Sequence, residues 1–93
     1  MKKIVRTDLQ ITARTQTREM VDNSIIIEVT PHPEGDTDSL SLWSVHRQID
    51  EDEAKVERKF RIVATDSGFD DTARILGSIK HGKDRIHVLE YVD

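Results

Sequence analysis

Hydrophobic and polar positions alternate along much of the chain in short runs, a pattern typical of β-strands. The clearest case is the stretch 73–92, where two runs rich in Ile and Val flank the polar segment 81–84 (HGKD). Two such runs joined by a short turn predict a β-hairpin. The second run carries apolar side chains on both faces, which predicts either a central strand or a strand whose second face is covered. Gly77 interrupts the first run and predicts a bulge or a close backbone approach.

The alternating pattern predicts further strands before this hairpin, over residues 2–11, 16–21, 25–30, 40–46 and 57–65. A break in the alternation near Thr7-Asp8 predicts a bulge in the first strand. The charged segment 48–56 favours a solvated hairpin loop over a short helix. Asp70 or Asp71 is suited to capping one helical turn. We therefore expect a single, mainly β domain over residues 1–93, an antiparallel sandwich or small barrel of about five to seven strands, with room for one short helical turn.

The amino-acid composition supports a β fold and indicates the cellular compartment in which we expect the protein. Ile and Val far outnumber Leu in the 93 residues, and branching at Cβ suits a pleated surface. The chain has no cysteine, which fits a reducing cytosol. No apolar run approaches the ~18 residues of a membrane helix, and the first residues lack the apolar core of a signal peptide. We expect a cytoplasmic protein without membrane association. The net charge of −4 argues against general nucleic-acid binding.

The four histidines are the obvious candidates for catalysis or metal binding, but none lies in a recognised ligand spacing, and no cysteine completes a zinc set. The acidic segments 34–38 and 66–71 lack the ligand period of a calcium loop. The sequence thus predicts no metal site, no cofactor and no catalytic residue. One enzymatic alternative stays open: His46 and His87 lie in predicted strands, and the fold could bring them together in a small metal-dependent hydrolase.

The basic and aromatic residues are more suggestive. The guanidinium groups of Arg61, Arg74 and Arg85 could each present a fork to an anionic ligand. Trp43 and Tyr91 could stack on a ring of that ligand. These five residues are the predicted ligand-binding set. The competing interpretation is a salt-bridged sheet surface with two aromatic residues in a core or an interface.

Several stretches, taken in order, resemble the small proteins of unassigned function that bacteriophages and prophages encode. They are the opening strand 2–11, Leu42-Trp43, residues 60–65 (FRIVAT), 75–79 (ILGSI) and 86–90 (IHVLE). The resemblance implies a phage source and a β fold. It transfers no catalytic or binding residue.

The leading hypothesis is a small phage accessory protein that binds a host factor or a small anionic ligand and does not act by catalysis. It would work in the host cytoplasm. The alternatives are a sponge that sequesters a host nucleotide signal, the metal-dependent hydrolase described above, and a structural part of the virion.

Strands with two apolar faces also predict a homo-oligomer. Ile25-Ile26-Ile27, Leu42-Trp43 and Val88-Leu89 each place apolar groups on both faces. A sandwich covers only the inner faces of its two sheets, and large apolar patches usually mark interfaces. Two-fold symmetry is the commonest arrangement. The interface would create a pocket in which one of the three candidate arginines grips an anionic molecule.

Overall fold

The computed structural model describes residues 1–47 and 54–91, and these residues form seven strands and no helix. The strands are β1 (Lys2–Gln10), β2 (Thr15–Val21), β3 (Ile25–Pro31), β4 (Ser39–Arg47), β5 (Lys55–Ala64), β6 (Ala73–His81) and β7 (Asp84–Tyr91). They build two antiparallel sheets that pack face to face. The predicted all-β class, the antiparallel pairing and the strand number are confirmed.

The two sheets differ in size, and the chain crosses between them after β4. The three-stranded sheet has the order β1-β4-β3, and the four-stranded sheet has the order β2-β5-β7-β6. β4 and β5 therefore lie in different sheets, and the connection between them crosses from one layer to the other. The prediction of a hairpin at this connection is wrong. The conformation of most of segment 48–56, which decides between loop and helix, lies outside the described residues.

The core lies between the sheets and is built from alternate positions of the central strands. Leu40 and Leu42 of β4 face Phe60 of β5 and Val88 of β7, and all four are fully buried. Leu9 joins them from β1 because it pairs directly with Leu40. Period-2 alternation thus selects which side chains point inward.

The predicted bulge in β1 is wrong, because β1 pairs with β4 in unbroken register from Lys2 to Gln10. The apparent break arises because Ile4 belongs to the outer face. The inward positions are Val5, Thr7 and Leu9. Register shifts occur instead in β3, between Ile26 and Glu28, and in β6, between Ile75 and Gly77.

The final hairpin is confirmed, with β6 and β7 joined by a two-residue turn. Gly82 occupies its first position with φ +62°, a conformation that favours glycine. Gly77 has both predicted features, since it adjoins the β6 bulge and lies so close to β3 that a Cβ would stand 3.0 Å from Cγ2 of Val29. The predicted helical turn does not form in the described residues. Asp70 instead accepts hydrogen bonds from the amide and hydroxyl of Thr72, each 3.1 Å long.

The strands with two apolar faces are covered to different extents. β7 is interior to its sheet, and Leu89 on its outer face is fully buried. Leu89 lines a cavity of about 180 Å³ together with Ile75 of β6 and with Phe69, which lies in the β5–β6 loop. The chain therefore covers this second face with its own loop. In contrast, Ile25 of β3 is 64% exposed.

Candidate ligand-binding cleft

β3 and β6 are edge strands of the two different sheets, and they lie side by side along a line that we call the seam. Gly77 and Val29 make its closest approach. The seam opens on either side of this contact. One opening, the loop cleft, lies where both strands end and has a volume of about 420 Å³. The other, the arginine cleft, lies where both strands begin and measures about 210 Å³.

The loop cleft lies between the β3–β4 loop and the β6–β7 turn. Its apolar walls come from Ile11, Pro31 and Ile79. The polar residues that line it include His32, Lys80 and His81. A concave, mainly apolar space of several hundred Å³ with a few polar groups has the usual form of a small-molecule site.

Local hydrogen bonds order the β3–β4 loop that forms one wall. Gly35 adopts φ +81°, and its amide donates to the carbonyl of His32 over 3.0 Å. The Asp36 carboxylate accepts from the amide of Asp38 over 2.9 Å and from the hydroxyl of Ser39 over 3.0 Å. These two bonds hold the pKa of Asp36 below its ordinary value, and the bond from the backbone amide of Asp38 has the larger effect. The loop is therefore a defined turn with a fixed anion.

His32 is held from both sides of its ring. Nδ1 accepts from the amide of Glu34 over 3.2 Å, so this nitrogen carries no proton, while Nε2 lies 3.4 Å from Oδ2 of Asp8. The other oxygen of Asp8 accepts from the hydroxyl of Ser41 over 2.6 Å. Serine, aspartate and histidine are thus linked, but the serine is fully buried and bonds the aspartate. A nucleophilic triad needs the serine on the histidine, so this network positions the imidazole.

His81 joins the two walls of the cleft. Its Nε2 lies 3.1 Å from the carbonyl oxygen of Thr37, so the ring N–H donates across the seam to the β3–β4 loop. The neighbouring Lys80 is exposed and forms no ion pair with any described residue. The lining of the cleft therefore combines apolar residues, two histidines whose rings are held by hydrogen bonds, and a lysine without an ionic partner among the described residues.

The arginine cleft has a different chemistry. Arg58 forms a two-pronged ion pair with the buried Glu90, through Nε to Oε2 and through Nη2 to Oε1, the second at 2.6 Å. Its Nη1 donates to the carbonyl of Ser24 over 2.7 Å. Arg74 lies directly opposite Glu90 on β6 and lines the same opening, but it is exposed. The buried charges here are already compensated.

The five residues of the predicted ligand-binding set are spread over four places in the fold. Arg61 and Tyr91 are brought together, since Nη1 of Arg61 donates to the Tyr91 hydroxyl over 3.2 Å. Arg74 lines the arginine cleft. Arg85 lies near the β6–β7 turn and donates to Ser78 Oγ over 3.3 Å. Trp43 lies in the middle of the three-stranded sheet and donates from Nε1 to Thr30 Oγ1 over 2.7 Å.

The structure does not bring the alternative catalytic pair together. His46 is buried on the inner side of β4 in the three-stranded sheet. His87 belongs to the four-stranded sheet, and its Nε2 lies 2.9 Å from the hydroxyl of Thr65. No group of three or more His, Asp or Glu residues in the described ranges is arranged to hold a metal ion.

The sequence analysis found no ligand spacing among the four histidines and did not single out His32 or His81, the two that line the loop cleft. The available signal was their position: one lies between two prolines at the end of a strand, and the other begins a tight hairpin turn. Such turns converge when two edge strands run side by side. That convergence depends on the pairing of distant strands and has no local pattern.

Comparison with known proteins identifies the family of the chain but assigns no activity to it. The model of DUF7352, a domain of unknown function, matches residues 1–93. The chain belongs to this family. No curated protein and no solved structure gives a significant match. The described part of this DUF7352 member contains no helix with the length and apolar character needed to cross a membrane.

Proposed function

We propose that this DUF7352 protein acts by binding a small molecule that has an apolar body and an anionic group. The observation that carries the proposal is the loop cleft, a mainly apolar space of about 420 Å³ whose lining includes Lys80, a residue without an ionic partner among the described residues. The apolar body packs on Ile11 and Ile79, and the anion meets Lys80. Nδ1 of His81 can accept a directional hydrogen bond from the ligand, whereas both ring nitrogens of His32 are already engaged by Glu34 and Asp8.

Binding without catalysis is the form of the proposal that the geometry favours. His32 has its Nδ1 occupied by a backbone amide, and Ser41 is buried away from the cleft. His81 donates to a backbone carbonyl. These bonds fix the side chains in place, and none joins a nucleophile to a base.

The proposal includes the setting suggested by the sequence: a phage accessory protein that self-associates and works in the host cytoplasm. A nucleotide signal of the host belongs to the same ligand class, because a base can pack on the apolar walls while a phosphate meets Lys80. A sponge for such a signal is therefore a particular case of the same binding site.

The test is a thermal-shift and calorimetric screen with two named ligand sets, cyclic and linear nucleotides and aromatic carboxylates. We expect at least one compound to raise Tm, because a ligand that binds only the folded state stabilises it by about 2.7 kcal/mol at one hundred times its Kd. Lys80→Ala should weaken that compound at least tenfold. Lys83→Ala is the matched control, since Lys83 lies in the turn that follows β6 but does not line the cleft.

Two results would contradict the proposal. One is the absence of any shift at millimolar concentrations of both ligand sets. The other is a compound whose affinity is unchanged in Lys80→Ala, which would place its site elsewhere.

A further inference from the structure

The outer face of the three-stranded sheet carries a row of apolar side chains that are exposed on its two edge strands. Ile4 of β1, Val45 of β4 and Ile25 of β3 lie directly opposite one another across the three strands. Ile4 is 65% exposed and Ile25 is 64% exposed. Ile27, the extra residue of the β3 bulge, is 56% exposed nearby. Unlike the outer face at Leu89, this row has no described loop of the chain over it.

The next row along the same face is charged at its two ends. Trp43 of β4 is flanked by Arg6 of β1 on one side and by Glu28 of β3 on the other. The two charged residues are two strands apart, about 10 Å. The side chain of Glu28 forms no bond with any described residue, whereas the guanidinium of Arg6 lies 3.3 Å from Asp8 and 3.4 Å from Glu34. Positive and negative groups thus lie on opposite sides of a central aromatic ring.

We propose that this face binds a second copy of the chain, with a two-fold axis parallel to β4. This arrangement specifies the surface for the self-association included in the proposed function. Rotation about that axis exchanges the β1 and β3 sides while keeping every row in place. Ile4 then faces Ile25 of the partner subunit, and Arg6 faces Glu28 of the partner subunit. Two sheets packed face to face lie about 10 Å apart, a gap that long side chains bridge.

The charge pattern selects this axis over the other face-to-face choice. The alternative axis runs along the Arg6–Trp43–Glu28 row and would place each charged residue over its own copy. It would also place the apolar row of one subunit against the polar row of the other, which contains Asp8 and Thr30. Like charges placed opposite each other are destabilising. The axis along β4 pairs opposite charges twice and apolar residues twice, and its one like-charge pair is Arg47 over its own copy at the exposed end of β4. Trp43 lies on it, in the centre, where aromatic residues contribute most to binding.

The first experiment is sedimentation-velocity and light-scattering analysis of the whole chain over a micromolar range. We expect twice the chain mass of 10.7 kDa. Ile4→Lys should weaken the dimer at least tenfold, because it places an ammonium group against an isoleucine of the partner subunit. Ile75→Lys is the matched control, since this residue is 59% exposed on the other sheet and the change in charge is the same.

The second experiment tests the axis by exchanging charges. Arg6→Glu and Glu28→Arg should each weaken the dimer about tenfold, and the double variant should recover most of the loss. Glu19→Arg, an exposed position on β2, should leave the mass unchanged. Circular dichroism of every variant checks that it folds.

The outcomes separate the claims. A monomeric wild-type protein overturns both the self-association and this surface, but leaves ligand binding in the loop cleft to its own screen. A dimer that persists in Ile4→Lys overturns this surface alone and points to pairing through a sheet edge. A dimer that is sensitive to Ile4→Lys but shows no recovery in the charge exchange overturns the axis.

Discussion

The two openings of the seam are lined by residues of different chemistry, although the same two strands frame both. In the arginine cleft, Arg58 satisfies the buried carboxylate of Glu90 and a backbone carbonyl of the β2–β3 turn. In the loop cleft, the walls are apolar, and Lys80 has no partner among the described residues. A polar group whose hydrogen bonds are already made gains little from a ligand. A charged group without a partner, near apolar walls, can still form an ion pair with one. The comparison indicates a stabilising role for the arginine cleft, and it is the reason why we propose the loop cleft as the place where a ligand binds.

The largest effect should come from breaking the ion pair of the arginine cleft. Arg58→Met leaves the buried Glu90 carboxylate without its partner, and we expect a loss of roughly 3–5 kcal/mol in the free energy of unfolding. Urea denaturation measures it. Arg74→Met removes a guanidinium from the same opening but from an exposed position, so it should cost within about 0.5 kcal/mol.

A double variant distinguishes the ion pair from simple packing. Arg58→Met with Glu90→Leu removes both charges, and it should recover most of the lost stability because apolar replacement of a whole buried pair is often neutral. Equal losses in Arg58→Met and Arg74→Met would remove the contrast between a buried structural pair and an exposed arginine.

The contact that separates the two openings should give the next largest effect. Gly77→Val places methyl groups against Val29, where even a Cβ would stand only 3.0 Å from Cγ2. Overpacking of this kind costs about 1–3 kcal/mol. Thermal unfolding should show a lower Tm, and Val29→Ala in the same chain should restore part of it. Additive losses in the double variant would show that the two side chains do not compete for space.

A smaller effect is expected at the loop cleft itself. His81→Ala removes the exposed hydrogen bond to Thr37, and the free energy of unfolding should fall by only about 0.5 kcal/mol. Hydrogen exchange should be more sensitive, because the β3–β4 loop loses its link to the hairpin turn. The amides of Gly35 and Asp38 should exchange faster while those of the core strands do not. Unchanged exchange at both amides would show that the bridge does not order the loop.

The smallest effect concerns the fixed anion in that loop. A carboxylate with a lowered pKa adds stability above its unfolded pKa of about 3.9, and this contribution is lost as the pH falls through the folded value. Bonds from Asp38 and Ser39 lower the pKa of Asp36. Asp36→Asn should therefore flatten part of the decline in Tm below about pH 4, with little change at neutral pH. NMR titration of Asp36 should give a pKa below the usual range, and an ordinary value would contradict the hydrogen-bonded turn.

Local pattern was enough to find the strands and the last turn. β-branched residues at alternate positions predicted five earlier strands and the final hairpin to within a few residues, because the pleat itself has a period of two. Gly82 marked the turn, where the left-handed backbone favours glycine, and Gly77 marked a close approach, where a Cβ would crowd Val29. The phase break in β1 misled, because an exposed isoleucine at position 4 looks the same in a sequence as a buried one.

Tertiary structure decided everything that depends on which strands become neighbours. The chain passes from one sheet to the other between β4 and β5, and no local signal distinguishes this crossing from a hairpin. The pairing of Arg58 with Glu90 joins residues 32 positions apart. Convergence of His32 and His81 on one cleft requires β3 and β6 to lie side by side across two sheets. The sequence by itself determined the period of its strands, whereas long-range pairing determined which side chains share a site, because contacts between distant strands leave no periodic trace.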